Sequence, residues 1–170
     1  MANRFVIVFG TTHRLQGAVR GRSNIDDPSY AELIGRLISE HQIDFVLEEA
    51  TGLGPTTAEK IALCRWGQNH YLDVDPLKGE RTNYGISLGT GSWFAIDPED
   101  SQKSKDVACW DYVEEHEKRE KLWLQRVEGA SFTRALMICG AAHLLSFSFR
   151  LRSAVFDVKA LYYMPHHKLC

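Results

Sequence analysis

The sequence lacks any apolar run long enough to cross a membrane, because stretches such as 5–9 reach only the length of a strand. It also lacks an excess of one charge: 20 Lys and Arg stand against 22 Asp and Glu, with no basic run that would follow a phosphate backbone. We therefore expect neither a membrane protein nor a nucleic-acid-binding protein. The first strand begins almost at once, which leaves no room for a signal peptide and predicts a cytoplasmic location.

Cysteine is scarce and widely spaced, and no C-x-x-C pair occurs. An even count allows disulfides, but without an export signal free thiols are favoured over disulfides, a zinc site or a catalytic nucleophile. Only one of the four lies beside a motif that bears on function. The cysteines are Cys64, Cys109, Cys139 and Cys170, and the one beside a motif is Cys139.

What is present is the composition of an ordinary globular domain, with 44% hydrophobic and 25% charged residues in 170. Apolar runs of strand length alternate with segments of helical periodicity, and this order favours right-handed crossovers and parallel strands. The sequence therefore predicts a single α/β domain over 1–170, with a mostly parallel sheet of about five strands and helices on both faces. The predicted strands are 4–9, 43–47, 70–74, 135–139 and 155–161; the predicted helices begin at Pro28 and Thr56 and cover 106–127 and 141–152.

Periodicity disappears between residues 77 and 105, where glycines lie among aromatic and polar residues. A loop of this length in a compact domain is typical of a lid, a binding loop or a partly disordered segment. We favour a lid over 77–105, and Glu80 and Arg81 within it are candidates for the site.

Titratable side chains follow the first four predicted strands. Because ligands of open α/β sheets bind beyond the carboxyl ends of the strands, these side chains predict a functional site at one edge. Each also has a structural interpretation: a histidine that caps a loop carbonyl, a glutamate paired with an arginine, or an aspartate that opens a turn. The residues are Gly10-Thr-Thr-His13, Glu48-Glu49, Asp73 with Asp75, and Gly140-Ala-Ala-His143.

A third Gly-x-x-His, Gly67-Gln-Asn-His70, precedes a strand and faces the other edge, so we interpret His70 as structural. On the long helix, helical spacing places Tyr112, His116, Arg119 and Trp123 on one side. Arg119 is thus a candidate to deliver a guanidinium to the site; the alternative is that its stem packs and its charged end reaches water.

Together these motifs resemble the TraB/TIKI and erythromycin-esterase-like hydrolase superfamily, and they span most of the chain in that family's order. The chain departs from typical members in being much shorter and in lacking a membrane anchor. The motifs are Gly10-Thr-Thr-His13, Val46-Leu-Glu48-Glu49, Arg119-Glu120 with Trp123-Leu124, and Ile138-Cys-Gly140-Ala-Ala-His143-Leu144.

The resemblance implies hydrolysis of an amide or ester bond in a small molecule or peptide, with His13, Glu48, Arg119 and His143 as the central residues. It implies manganese or cobalt in the TIKI branch and histidine catalysis without metal in the esterase branch. Two imidazoles and a carboxylate suit an open divalent metal site, so His13, Glu48 and His143 are predicted ligands of manganese, cobalt or zinc. Without metal, one histidine would act as general base and Glu48 would orient it.

Substrate contacts are predicted from Glu49, Asp75, Arg81 and His116, while Arg119 would stabilise an oxyanion or anchor a substrate carboxylate. The sequence leaves open whether Glu48 or Glu49 faces the site, since adjacent strand residues point to opposite sides. A non-catalytic module that binds a small ligand, an anion or a protein is the main alternative. Phosphate chemistry at Gly85–Gly91 is disfavoured because that stretch lacks the lysine of a P-loop.

Overall fold

A computed structural model describes residues 4–16, 28–50, 55–86 and 102–163, and within them all side chains except those of 13, 14, 78 and 102–113. Five strands in these ranges form one sheet in the order β3-β2-β4-β1-β5, with every pair parallel. This confirms the predicted single-sheet α/β fold. The strands are β1 (Phe5–Thr11), β2 (Phe45–Glu48), β3 (Tyr71–Asp73), β4 (Arg134–Gly140) and β5 (Asp157–Tyr162).

Helices cover both faces of the sheet, as predicted. Buried residues of α2 (Pro28–Glu40) and α3 (Thr57–Trp66) pack on one face, and those of α5 (Gln102–Gly129) and α6 (Leu144–Ser153) pack on the other. None of the described helices combines the length and apolar character needed to cross a membrane. The helices are α1 (His13–Gln16), α2 (Pro28–Glu40), α3 (Thr57–Trp66), α4 (Lys78–Arg81), α5 (Gln102–Gly129) and α6 (Leu144–Ser153), with 3₁₀ turns at Gln68–His70, Thr82–Tyr84 and Ala141–His143.

The start and end of α3 follow from local side-chain chemistry. Thr56 accepts a hydrogen bond from the Glu59 N–H at 3.0 Å, and the Glu59 carboxylate accepts one from the Thr56 N–H at 3.3 Å. These two bonds form the predicted capping box. Gly67 ends the helix at φ +83°, a conformation that side chains other than glycine adopt at a cost.

Alternation along the strands decides which side chains reach which face. Val6 and Val8 pack with α5 and α6, whereas Ile7 and Phe9 pack with α2 and α3. The same alternation at the end of β2 sends Glu48 and Glu49 to opposite faces. The fold therefore separates these two adjacent carboxylates.

The boundaries of two predicted segments are wrong. Within the predicted loop 77–105, the Glu80 carboxylate accepts the Leu77 N–H at 2.7 Å and starts α4, and α5 begins at Gln102. Residues 87–101, on which the lid prediction largely rests, lie outside the described residues. The last strand begins at Asp157 because Val155 lies in a turn at φ +69°.

Two glycines provide a matched test of the packing between β1 and α6. A Cβ on Gly10 would lie 3.0 Å from the Leu144 Cβ, whereas a Cβ on Gly35 in α2 meets nothing within 4 Å. We expect Gly10→Ala to lower the free energy of unfolding by about 1–3 kcal/mol through overpacking. Gly35→Ala should raise it by about 0.5–1 kcal/mol through helix propensity. Urea unfolding measures both changes. An unchanged free energy of unfolding in Gly10→Ala would contradict the close approach of α6.

Candidate functional site

A partly buried guanidinium joins the ends of β2 and β3 to α5. Arg119 donates from Nη2 to Glu49 Oε1 at 2.5 Å. It also donates from Nε and Nη2 to Asp75 Oδ1 at 3.0 and 2.7 Å. Both carboxylates are buried. One arginine thus bridges two carboxylates that follow neighbouring parallel strands.

The other lone pairs of these carboxylates are also used. Glu49 Oε2 accepts the Gly140 N–H at 2.7 Å. Asp75 accepts Trp123 Nε1 on Oδ1 at 3.1 Å and Arg81 Nη2 on Oδ2 at 2.7 Å. Buried carboxylates require such donors to offset their lost hydration. The network therefore fixes the positions of Glu49 and Asp75 tightly.

Arg119 stays a cation in this environment. Burial alone lowers the pKa of Arg119, but the carboxylates of Glu49 and Asp75 raise it above its ordinary value. Its hydrogen bonds to described residues use Nε and Nη2, and none of them uses Nη1. The side chain therefore has a fixed orientation and a remaining donor group.

His143 lies next to this network on the same face of the sheet. Its Nδ1 is 2.9 Å from Glu120 Oε1, and its Nε2 is 3.9 Å from Glu49 Oε1. The ring is buried between His116 at 3.9 Å and Trp123 at 4.6 Å, measured between ring centroids. A carboxylate accepts hydrogen bonds, so Nδ1 carries the proton shared with Glu120, and Nε2 lies on the Glu49 side.

Glu120 holds the histidine and is itself held by α6. Its Oε1 accepts the Ser146 hydroxyl at 2.5 Å, and its Oε2 lies 3.6 Å from Arg150 Nε. We did not predict a role for Glu120 beyond its place in the Arg119-Glu120 motif. The available signal was helical spacing, since Glu120 follows His116 by four residues and shares its side of α5.

His116 enters the site as an uncharged ring. Burial lowers the pKa of His116 to about 4, and the neighbouring His143 and Arg119 lower it as well. A neutral imidazole can stack on His143 without adding a second positive charge beside Arg119. The predicted grouping of His116, Arg119 and Trp123 on one side of α5 is confirmed, and the side chain of Tyr112, the fourth member, lies outside the described residues.

Glu48 contacts a different set of residues, on the face covered by α2 and α3. Gln16 Nε2 donates to its Oε1 at 3.2 Å, and Tyr71 OH donates to its Oε2 at 3.1 Å. Thr56 Oγ1 donates a shorter bond to the same Oε2. Burial raises the pKa of Glu48 to about 7, although these three donors lower it. Glu49, not Glu48, is the carboxylate beside Arg119 and His143.

Two of the three predicted metal ligands, Glu48 and His143, have different neighbours in the described part of the chain. Glu48 contacts residues on the face of α2 and α3, and His143 lies beside α5, so their described neighbours form no common group. The metal site stays a prediction. The backbone of His13 begins α1 directly after β1, and its side chain lies outside the described residues. No group of three His, Cys, Asp or Glu side chains suited to a metal ion occurs in the described part of the chain.

The segment after β3 is also held to α5 by Arg126, through one ion pair and one hydrogen bond to the backbone. Arg126 Nη2 contacts Glu80 Oε2 at 3.0 Å, and Arg126 Nη1 donates to the Asp75 carbonyl at 2.9 Å. Asp73 accepts the N–H groups of Ala50 and Asp75, and burial raises its pKa to about 6. Asp73 thus supports the backbone, whereas Asp75 and Arg81 join the site.

His70 lies apart from this cluster. Its Nδ1 is 2.8 Å from the Asp44 carbonyl, which agrees with the structural interpretation of the third Gly-x-x-His. The structure therefore brings one set of predicted residues together and places Glu48 elsewhere. The residues brought together are Glu49, Asp75, Arg81, His116, Arg119 and His143.

Comparison with protein-family models, curated proteins and solved structures gives no match to this chain. The resemblance to the TraB/TIKI and erythromycin-esterase-like superfamily therefore stays a prediction. The site must be interpreted from its own geometry.

Removing the bridging cation tests how far the site depends on it. We expect Arg119→Met to lower the free energy of unfolding by about 3–5 kcal/mol, because Glu49 and Asp75 lose their shared buried partner. Arg36→Met is the matched control, since Arg36 is exposed and its pair with Glu40 spans 3.9 Å. Urea unfolding of both variants gives the comparison, and losses of equal size would contradict the bridging role.

The raised pKa of Glu48 predicts a pH-dependent stability. Burial raises this pKa in the folded chain to about 7, whereas in the unfolded chain Glu titrates near about 4.3. The folded chain therefore holds this proton more tightly, and stability is lost as pH rises from about 4.3 through about 7. Between pH 5 and pH 8, the free energy of unfolding of Glu48→Gln should fall by roughly 2–3 kcal/mol less than that of the wild type.

Thermal or urea unfolding at pH 5 and pH 8 measures this difference. Glu40→Gln is the control, because Glu40 is an exposed glutamate of α2. Parallel pH profiles for Glu48→Gln and the wild type would mean that Glu48 is ionised in the folded chain throughout this range.

Proposed function

We propose that the chain hydrolyses an amide or ester bond of a small molecule or peptide, with His143 as the general base. The observation that carries this proposal is the buried Glu120–His143 pair, whose Nδ1–Oε1 distance is 2.9 Å, beside the fixed Arg119. A carboxylate on one ring nitrogen orients an imidazole so that the other nitrogen can take a proton. This geometry supports histidine catalysis with Glu120, in place of Glu48, as the orienting residue.

The proposed reaction uses water as the nucleophile. His143 Nε2 takes a proton from water, the water oxygen bonds to the substrate carbonyl carbon, and the carbonyl electron pair moves to its oxygen. Arg119 Nη1 donates to that oxyanion. When the oxyanion collapses, the bond to the leaving group breaks and His143 Nε2–H returns the proton to it, which restores the neutral imidazole.

The proposal also includes His13 and a cytoplasmic location. Thr11 pairs with Gly140 in the sheet, so residue 13 begins α1 beside the strand that leads to His143. A second imidazole at this position would be a further proton carrier. The thiols of Cys64 and Cys139, which are free, are compatible with a reducing compartment.

The burial of His143 favours a second candidate function, a module that binds a small ligand without turning it over. Only 2% of His143 is exposed. The two carboxylates beside Arg119 already use most of the N–H donors of that arginine. This alternative predicts saturable binding in the absence of product. Activity measurements separate the two functions directly.

A panel of aryl esters and N-acyl amides, assayed with the purified chain, tests the hydrolase proposal. We expect His143→Gln to lower kcat/KM by about 100-fold or more, because proton transfer in the transition state is lost. Glu120→Gln should lower it less, since the base remains but its orientation is weakened. His41→Gln is the matched control, because His41 lies in the turn after α2 at the opposite edge of the sheet.

Two results would overturn the proposal. One is binding of panel members with no product formed at any enzyme concentration. The other is an activity that His143→Gln retains at the level of the His41→Gln control.

A further inference from the structure

The charges of the site are arranged in two layers. The side chains of Glu49 and Asp75 are each 1% exposed, and that of Glu120 is 2% exposed. The guanidinium side chains that contact them are more accessible, at 17% for Arg119, 25% for Arg81 and 26% for Arg150. Negative charge therefore lies beneath, and positive charge lies toward the solvent.

Two of these arginines are fixed by the same carboxylate. Asp75 Oδ1 accepts from Arg119 Nη2 at 2.7 Å, and Asp75 Oδ2 accepts from Arg81 Nη2 at 2.7 Å. Arg81 Nε donates to the Pro76 carbonyl at 3.3 Å, so its fork is held at two points. The bonds of both arginines to described residues leave Nη1 unused.

Preorganised guanidinium groups of this kind suit a carboxylate ligand. The planar fork of arginine matches a carboxylate, and hydrogen bonds between charged groups are about twice as strong as neutral ones. The side chains of Glu49, Asp75, Arg81 and Arg119 already sum to zero charge. A monoanion therefore fits this edge better than a doubly charged phosphate. Glu80, a more exposed carboxylate nearby, is paired with Arg126 at 3.0 Å.

We propose that Arg81, beside the oxyanion donor Arg119, binds a carboxylate of the substrate, so that the preferred substrates are esters or amides bearing a second, free carboxylate group. This inference rests on the proposed hydrolysis, since it takes the bound ligand to be a substrate. The anion site itself depends only on Arg81. Arg81 is then a residue that determines specificity.

Two esters of the same shape test the inference. 4-Acetoxybenzoate and 4-acetoxybenzamide differ in a para carboxylate or carboxamide, which lies too far from the ester to attack it. We expect the wild type to prefer the carboxylate by about 10-fold or more in kcat/KM, the size of one charge-assisted hydrogen bond. In Arg81→Gln the ratio of the two values should fall to near one, and in Arg36→Gln it should stay at the wild-type ratio.

Binding provides a readout that does not depend on turnover. Calorimetry should detect benzoate but not benzamide on the wild type and on His143→Gln, and Arg81→Gln should lose the benzoate signal. Arg81→Lys keeps a positive charge next to Asp75 and should retain part of the benzoate signal. If Arg81→Gln does not give a cooperative unfolding transition, Arg81→Lys takes its place and should lower the preference in part.

The two proposals fail in distinguishable ways. Hydrolysis of both esters at equal kcat/KM, unaffected by the Arg81 variants and without preferential benzoate binding, overturns the carboxylate site and leaves the hydrolase intact. Benzoate binding that depends on Arg81, with no hydrolysis of either ester, supports the anion site and counts against the hydrolase. A preference for inorganic phosphate over benzoate would overturn the choice of a monoanion.

Discussion

Arg119 is the side chain on which the geometry of the site depends. It connects Glu49 after β2, Asp75 after β3 and, through the Glu49 carboxylate, the Gly140 N–H at the end of β4. Because Arg119 belongs to the crossover helix between β3 and β4, its pairing also sets the rotation of α5. That rotation places His116, Glu120 and Trp123 around His143. This ion-pair network therefore joins the carboxyl ends of β2, β3 and β4, and it also determines the environment of His143, the candidate base.

The alternation of a β-strand gives the two adjacent glutamates different electrostatic roles. Glu49 is paired with a guanidinium, so its negative charge is compensated. Among the described residues Glu48 has only neutral donors, and burial raises its pKa to about 7. Chemically identical side chains are separated in this way by environment alone. An assignment of roles from sequence spacing cannot distinguish them, since the spacing between the two is a single residue.

The sequence predicted the fold and part of the site for identifiable reasons. Continuous apolar runs and capping residues are local signals, so the strands, α3 and the face of α5 that carries His116 and Arg119 could be predicted. The rule that parallel strands end at one edge was enough to predict that Glu49, Asp75 and His143 lie close together. The orientation of Glu48 and the Glu120–His143 pair depend on contacts between distant segments, which no local pattern encodes. The start of β5 depends on the positive φ of Val155, and a branched residue type does not predict that backbone conformation.

The energetic cost of the network bears on whether it is only structural. A buried ion pair contributes little net stability, because desolvation offsets most of the attraction, and apolar residues of similar volume often do as well. Arg119 and Arg81 together match the charges of Glu49 and Asp75, and both arginine side chains are more accessible than the carboxylates they contact. The Arg81 side chain is 25% exposed beside a carboxylate that is 1% exposed, so it places positive charge toward solvent, where a ligand can use it.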